Sequence, residues 1–383
     1  EMRLLAPLPE RVLAHVVRRA ADARELLADL TLYDPGDGAA LLTMAGLHFV
    51  SPGGVAPALS RLAWRPAPLA IDAARPGPLL VVGEGELAER LARRLSNTGL
   101  LADHCPSAAP DPARLGELLA GRIAGLVLAP AGGEDLAWRT ATVLRALLAG
   151  LERPVRVLVA GHGAYALDQA DPSPGPEAGL LAGLTLAVAQ EEPMLALRYL
   201  DLDPSTDPDL ALGEFAVFDQ PDGGPIPVAL WRGGQRFAPT LEPLPATSAP
   251  PAWPKEGCCL VTGGLGGFAL TLAEEFSHGG RLSLALLSRR GGMDDAAPEA
   301  GFQRQRLAEL AQAGVKLRIY ACDVGDRAAL SATLRRVRDE LGPIRAVVHA
   351  AGLADGAFLL RQDKSDFAAV LAAKAAGARL LDE

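Results

Sequence analysis

Two runs of alternating strand-like and helix-like segments, separated by a proline-rich stretch, limit what this chain of 383 residues can fold into. In the second run "CCLVTG", "LSLALLSRR", "VKLRIYACD" and "IRAVVHAAG" are short and apolar. The segments that follow them, "GFALTLAEEFSHGG", "FQRQRLAELAQAG", "RAALSATLRRVRDELG" and "KSDFAAVLAAKAAGARLLDE", read as helices. Short apolar strands alternating with helices predict a parallel sheet covered on both faces. The first run shows the same order, with strands "LLVVG", "GLVLAP", "VRVLVAG" and "LRYLDLD" and helices that include "ELAERLARRLSNTG" and "WRTATVLRALLAGLE". A late hairpin, "VALWRGGQRFAPTLEP", precedes the seam "PLPATSAPPAWPKEG", whose prolines preclude regular structure. The chain is therefore expected to hold two tandem α/β units, a divergent internal repeat. A short β-rich segment comes first: "ADLTLYD" and "ALLTMAGLHFV", joined by the turn sequence "PGDGA".

Composition narrows the function classes. A hydrophobic fraction of 49% with 22% charged residues belongs to a globular chain. A net charge of -9 with no long basic run argues against nucleic acid or an anionic membrane as partner. No apolar stretch approaches the roughly 20 residues that span a bilayer, and the start lacks a signal-peptide pattern. Cys105, Cys258, Cys259 and Cys322 show no metal spacing, so reduced thiols in a cytoplasmic protein are expected.

Each unit opens with a strand and a glycine turn. The first, "LLVVGEGELAERL", satisfies G-x-G-x-x-A at Gly83, Gly85 and Ala88, but Glu84 and Glu86 lie where a pyrophosphate would rest. It reads as a structural turn. The second runs from Thr262 through Gly263, Gly264, Leu265 and Gly266 to Gly267. There the backbone can approach a pyrophosphate, and the following helix presents free N–H groups. The next strand ends in Ser288, Arg289 and Arg290. Arginine at that place suits a 2′-phosphate, although the same side chains also read as solvated surface charges. The third strand ends in "CDVGD" with Asp323, and the fourth in "HAAGLADG" with Ala351 and Gly352. All four features fall at strand carboxyl ends, where ligands of open α/β sheets bind.

These residues, "VTGGLGGFA", "LLSRRG", "CDVGD", "VVHAAG" and "VLAAKAAGARLLDE", resemble the ketoreductase domain of modular polyketide synthases, within the short-chain dehydrogenase/reductase superfamily. The resemblance implies two Rossmann-like units. Residues 59–245 would be a degenerate structural subdomain, a pseudo-reductase opened by "LSRLAWRP" and closed by "VALWRGGQRFAPTLEPL"; 246–256 would be a linker. Residues 257–383 would be the N-terminal part of the NADPH-binding catalytic subdomain, and 1–58 are similar to the C-terminal end of a dehydratase. It implies cofactor contacts from Thr262, Gly263, Gly264, Leu265, Gly266, Gly267, Ser288, Arg289, Asp323, Val324, Ala350, Ala351 and Gly352, with Ala269 replacing the usual third glycine. Lys374, by itself a solvent-facing helix lysine, takes the catalytic-lysine position. Implied partners are an acyl carrier protein bearing a ketoacyl chain and neighbouring dehydratase and ketosynthase domains.

The family's catalytic serine and tyrosine belong to the next strand and helix. Tyr33, Tyr165, Tyr199 and Tyr320 stand in no Tyr-x-x-x-Lys pattern. Loss of a general acid removes around 10²–10⁴-fold in rate, so residues 1–383 alone are expected to be inactive and to be part of a longer polypeptide. Two readings stay open: an NADPH-dependent reductase of carrier-bound 3-ketoacyl thioesters, and a non-catalytic scaffold that spaces neighbouring domains. The aspartate that marks B-type enzymes would fall at Gly356, with Asp355 one residue early, which leans away from B-type.

Overall fold

The computed structural model describes residues 2–4, 6, 13–21, 25–34, 39–50, 60–69, 77–107, 112–120, 123–133, 135–151, 153–168, 171, 174–204, 206–207, 213–218, 226–244, 254, 256–277, 281–292, 300–353 and 357–383. Most of the proline-rich linker, the turn at 35–38, and Asp355 with Gly356 lie outside them. Two compact units emerge, Glu1–Arg61 with Leu241–Thr247, and Leu62–Thr240 with Ser248–Glu383.

The first compact unit holds β1 (Met2–Leu4), β2 (Leu13–Ala21), β3 (Glu25–Tyr33) and β4 (Ala40–Val50) in an antiparallel sheet of order β1-β4-β3-β2. The hairpin of β3 and β4 places Thr31 opposite Thr43.

Next along the chain come β5 (Ser60–Pro66), β6 (Leu79–Gly83), α1 (Glu86–Asn97), β7 (Leu101–Cys105), α2 (Pro112–Ala120) and β8 (Gly125–Ala129). It continues with α3 (Leu136–Gly150), β9 (Val155–Gly161), α4 (Pro176–Glu191), β10 (Leu195–Leu202), β11 (Val228–Arg232) and β12 (Gln235–Pro243). These strands form one sheet of order β5-β12-β11-β10-β9-β8-β6-β7. It is parallel from β7 to β11, and β12 returns antiparallel as the expected hairpin. Every residue of β6 and β8 is buried, because apolar side chains point alternately to two covered faces. Leu80, Val82, Leu126 and Leu128 meet α2, α3 and α4 on one face; Leu79, Val81 and Val127 meet α1 and Phe215 on the other.

A second parallel sheet follows, built from β13 (Glu256–Thr262), β14 (Arg281–Ser288), β15 (Leu317–Ala321) and β16 (Ile344–His349) in the order β15-β14-β13-β16. Helices α5 (Gly267–Ser277) and α6 (Ala300–Gln312) cover the face of Cys259, Val261, Leu284 and Leu286. Helix α7 (Arg327–Leu341) covers that of Cys258, Leu260, Ala285 and Leu287. Asp326 caps α7 by accepting from the amides of Ala328 and Ala329. The direction of winding reverses between β13 and β16, which opens a crevice beyond their carboxyl ends.

The last helix, expected as one continuous run, is divided. Helix α8 (Lys364–Leu371) passes into a π-helical turn (Ala372–Ala376) and then α9 (Gly377–Asp382). Gly377 lies against Val324 and His349, where an added Cβ would come within 2.9 Å of Val324 Cγ2. The wider turn accompanies that close approach, and such turns are frequent at functional sites.

Candidate functional site

The crevice contains a cavity of about 550 Å³ bounded by the ends of all four strands of the second sheet. At the end of β13, Gly263 has φ +62°, and a Cβ there would come within 2.6 Å of the Ala350 carbonyl oxygen. Only glycine permits this turn. Gly264 packs against β14, a Cβ standing 2.6 Å from Leu286 Cβ, while its amide donates to Leu287 O at 2.9 Å. The Gly266 amide donates to Gly263 O at 2.8 Å, and its own carbonyl accepts from Leu270, starting α5.

The other strands contribute in the same plane. Ser288 O at the end of β14 accepts from Gly291 N and Cys322 N, holding the Ser288–Arg289–Arg290 turn against the end of β15. Asp323 folds its carboxylate onto the Gly325 amide at 2.8 Å. Leu265, Gly266, Gly267, Ser288, Arg289, Asp323, Val324, Ala350, Ala351 and Gly352 all line the cavity with Gly263. Ala269 is buried in the core under α5.

Thr262 and Gly264 do not line it. Thr262 is fully buried, and its Oγ1 accepts from Ala351 N at 3.1 Å and lies 2.7 Å from His349 Nδ1. His349 Nε2 is 3.1 Å from the Lys374 carbonyl oxygen. A carbonyl only accepts, so Nε2 carries a proton; in the neutral imidazole Nδ1 then accepts and the Thr262 hydroxyl donates to it. This network ties β13, β16 and the π-helical turn together. Lys374 itself stands at the rim, exposed, with its Cε 3.0 Å from where a Gly352 Cβ would be.

Sequence reasoning missed Phe302 and Gln303 of α6, which also line the cavity. Gln303 is buried, and its Oε1 has no hydrogen-bond partner. No local pattern marks a helix glutamine as a ligand, so only the packing of α6 over the glycine turn reveals it. None of the four tyrosines lines this cavity. Tyr320 donates to Glu340 on α7, and burial, with that carboxylate, pushes its phenol up to about 12. Among the described residues no cluster of His, Cys, Asp and Glu could hold a metal ion.

The equivalent crevice of the first sheet differs. It holds a cavity of about 590 Å³ lined by Glu84, Glu86 and Glu177, with no Arg or Lys in its wall. Glu84 pairs with Arg139 at 3.4 Å, and Arg139 also donates to the carbonyls of Ala131 and Gly132. A Cβ on Gly83 would collide with the Ala129 carbonyl oxygen. That glycine serves strand packing.

The model of the ketoreductase (KR) domain family matches residues 257–383, the segment that builds the second sheet and its cavity. Two solved structures extend the likeness upstream. One, that of A-type ketoreductases from a modular polyketide synthase, has 27% identity and a TM-score of 0.66, covering 84% of this chain and 70% of that one. Another, an A1-type ketoreductase, has 28% identity and a TM-score of 0.65 over the same shares. The chain carries a ketoreductase region of a modular polyketide synthase. Erythronolide synthase EryA3 of Saccharopolyspora erythraea is 34% identical over 236 residues, which are 61% of this chain. Pikromycin polyketide synthase component PikAIII of Streptomyces venezuelae is 30% identical over 332 residues, 84% of this chain. The ketoreductase region spans 7% and 20% of these relatives' lengths. Its domain family is of the short-chain dehydrogenase/reductase type, which uses a nicotinamide cofactor. No helix among the described residues is long and apolar enough to cross a membrane.

Proposed function

We propose that the cavity of the second sheet binds NADPH, and that the complete reductase converts a 3-ketoacyl thioester on an acyl carrier protein to the 3-hydroxyacyl form. The observation that carries this reading is the pairing of a glycine cradle with Arg289 and Arg290 on one cavity wall. A dinucleotide fits the residues present. The turn at Gly263 excludes a side chain, α5 offers its N-terminus, and the buried Gln303 Oε1 awaits a donor. Gly263, Leu265, Gly266 and Gly267 would hold the pyrophosphate, Ser288 and Arg289 the 2′-phosphate, and Asp323 with Val324 the adenine end. Ala350, Ala351 and Gly352 would lie along the nicotinamide half. Thr262 and Gly264 shape the turn from behind.

NADPH when bound supplies the hydride. The chain's own contribution is to orient the cofactor and to place Lys374 at the rim, where its ammonium would favour the ionised form of a neighbouring proton-donating tyrosine. Lys374 would act beside the tyrosine and serine of a complete reductase, and turnover is a question to ask of that complete enzyme. We assign residues 59–245 to the structural subdomain, 246–256 to the linker, 257–383 to the catalytic subdomain, and 1–58 to the end of a dehydratase. Adjacent dehydratase and ketosynthase domains and the carrier protein are the partners this assignment requires. The likeness to A-type and A1-type ketoreductases supports a stereochemistry other than B-type, as the spacing of Asp355 and Gly356 does.

Fluorescence titration of this chain with NADPH and NADH tests the cofactor. Micromolar-range binding of NADPH with much weaker NADH supports the reading. Equal affinities would remove the role of Arg289.

A further inference from the structure

We propose that the degenerate first sheet has a catalytic duty, as a clamp that sets the position of Lys374; the inference rests on the lysine's role proposed above. The segment joining β16 to α8 does not pack on its own sheet alone. Leu359 is buried and belongs to the hydrophobic core of the first sheet, among residues of α3 and α4. Among the described residues it is the one member of that core from beyond the linker. Its amide donates to Glu191 Oε2 at the end of α4, at 3.0 Å. Arg145 of α3 donates to the Gln362 carbonyl at 2.8 Å. One turn into α8, Phe367 meets Trp138 of α3 with ring centroids 5.7 Å apart.

These contacts grip the chain before α8 and at its second turn, and α8 passes directly into the π-helical turn that carries Lys374. The far side of that turn is held by the His349 bond to the Lys374 carbonyl. The lysine thus sits between two anchors, one on its own sheet and one on a sheet whose nucleotide crevice is acidic. A rigid helix transmits a small displacement at Trp138 to the rim of the cavity. Misplacing a catalytic group by about 1 Å lowers rate by roughly 100-fold. Trp138, Glu191 and Arg145 are positioning residues in this scheme, since none touches the cofactor cavity.

The test uses the synthase polypeptide that carries the complete reductase, with a 3-ketoacyl thioester as substrate. Trp138→Ala should lower kcat by roughly 10- to 100-fold while NADPH affinity stays within about twofold. Trp138→Phe, which keeps a ring against Phe367, should restore most of the rate. Glu191→Ala, which removes only the bond to the Leu359 amide, should lower kcat in the same direction and covers the case in which Trp138→Ala fails to fold. Amide hydrogen exchange should rise across 364–377 in both alanine variants and stay unchanged at 263–270. Combined with Lys374→Ala, either variant should add little further loss, because both act through the same side chain. Wild-type kcat in both variants, beside a slow Lys374→Ala, would overturn the clamp alone. Full additivity with Lys374→Ala would do the same, by reducing the contacts to ordinary packing. Wild-type turnover in Lys374→Ala would instead overturn the lysine's role, whatever the clamp variants do.

Discussion

The two crevices are nearly equal in size, about 550 and 590 Å³, and both begin at a strand followed by a glycine turn. Charge separates them. The second carries Arg289 and Arg290 against one carboxylate, Asp323; the first carries Glu84, Glu86 and Glu177 and no lining cation. A cavity at a topological switch point is thus a consequence of the fold. Its ligand is decided by a handful of side chains. The sheets differ as well: on the β7 side of its switch point the first has β6 and β7, whereas the second has β13, β14 and β15. Among the described residues the first order has no strand that would place an equivalent of Asp323.

The comparison breaks most sharply at Gly266. Gly266→Asp puts a carboxylate in the second cavity and should weaken NADPH binding by about 3 kcal/mol or more through repulsion of the pyrophosphate. Binding within tenfold of wild type, with circular dichroism unchanged, would place the cofactor elsewhere.

Thiol reactivity offers a second contrast, since burial raises Cys105 as well but without placing it in a fully buried strand. Burial in β13 pushes Cys258 and Cys259 up to about 11, the neighbouring thiol adding to the effect at Cys259. At pH 8 their thiolate fraction is about 100-fold below that of an ordinary cysteine. Cys105, on the half-buried edge strand β7, should be alkylated first, and Cys258 and Cys259 only on unfolding. Mass spectrometry of a timed iodoacetamide reaction reads the order, and rapid native labelling at 258 or 259 would mean that β13 opens.

Arg289→Ala should weaken NADPH binding by roughly 1–3 kcal/mol and leave NADH unchanged, since only the former has a 2′-phosphate to lose. Equal loss for both cofactors would assign Arg289 to folding or to the pyrophosphate. Thr262→Val leaves the Ala351 amide and His349 Nδ1 unpartnered and should lower stability by about 1–3 kcal/mol in urea unfolding, with Thr262→Ser close to wild type. The smallest effect belongs to the first crevice. Glu86→Ala should change neither NADPH affinity nor stability by more than about 0.5 kcal/mol. A gain in NADPH affinity there would show that the first crevice is a suppressed nucleotide site.

Much of the second parallel sheet and its helices was legible along the chain. Its strands are uninterrupted apolar runs such as "LSLALLSRR", and the glycine turn and the residues at the strand ends sit at fixed offsets from them. Less was legible in the first parallel sheet and its helices. Strand β7, "LADHC", lies at a sheet edge and is only half-buried, so its apolar signal is weak. Helix α2 is short and starts at a proline. Thr262 reads as a loop residue beside a phosphate, yet its hydroxyl is spent on Ala351 and His349, more than eighty positions away in the chain.

Local order is what the sequence by itself determined: alternation of strand and helix, a turn that only glycine tolerates, an arginine rather than a carboxylate after the second strand. Each is written in the few residues that make it, because backbone sterics and burial act over one or two turns of chain. Tertiary structure alone decided which helices close over the cavity, bringing Phe302 beside Gly267 and Gln303 into the wall, and where the segment after β16 finds its core. It also decided that the last helix widens at Lys374, just before Gly377 passes close to His349 and Val324. Those outcomes depend on shapes meeting across long chain separations, and close packing selects among partners that local composition leaves equivalent.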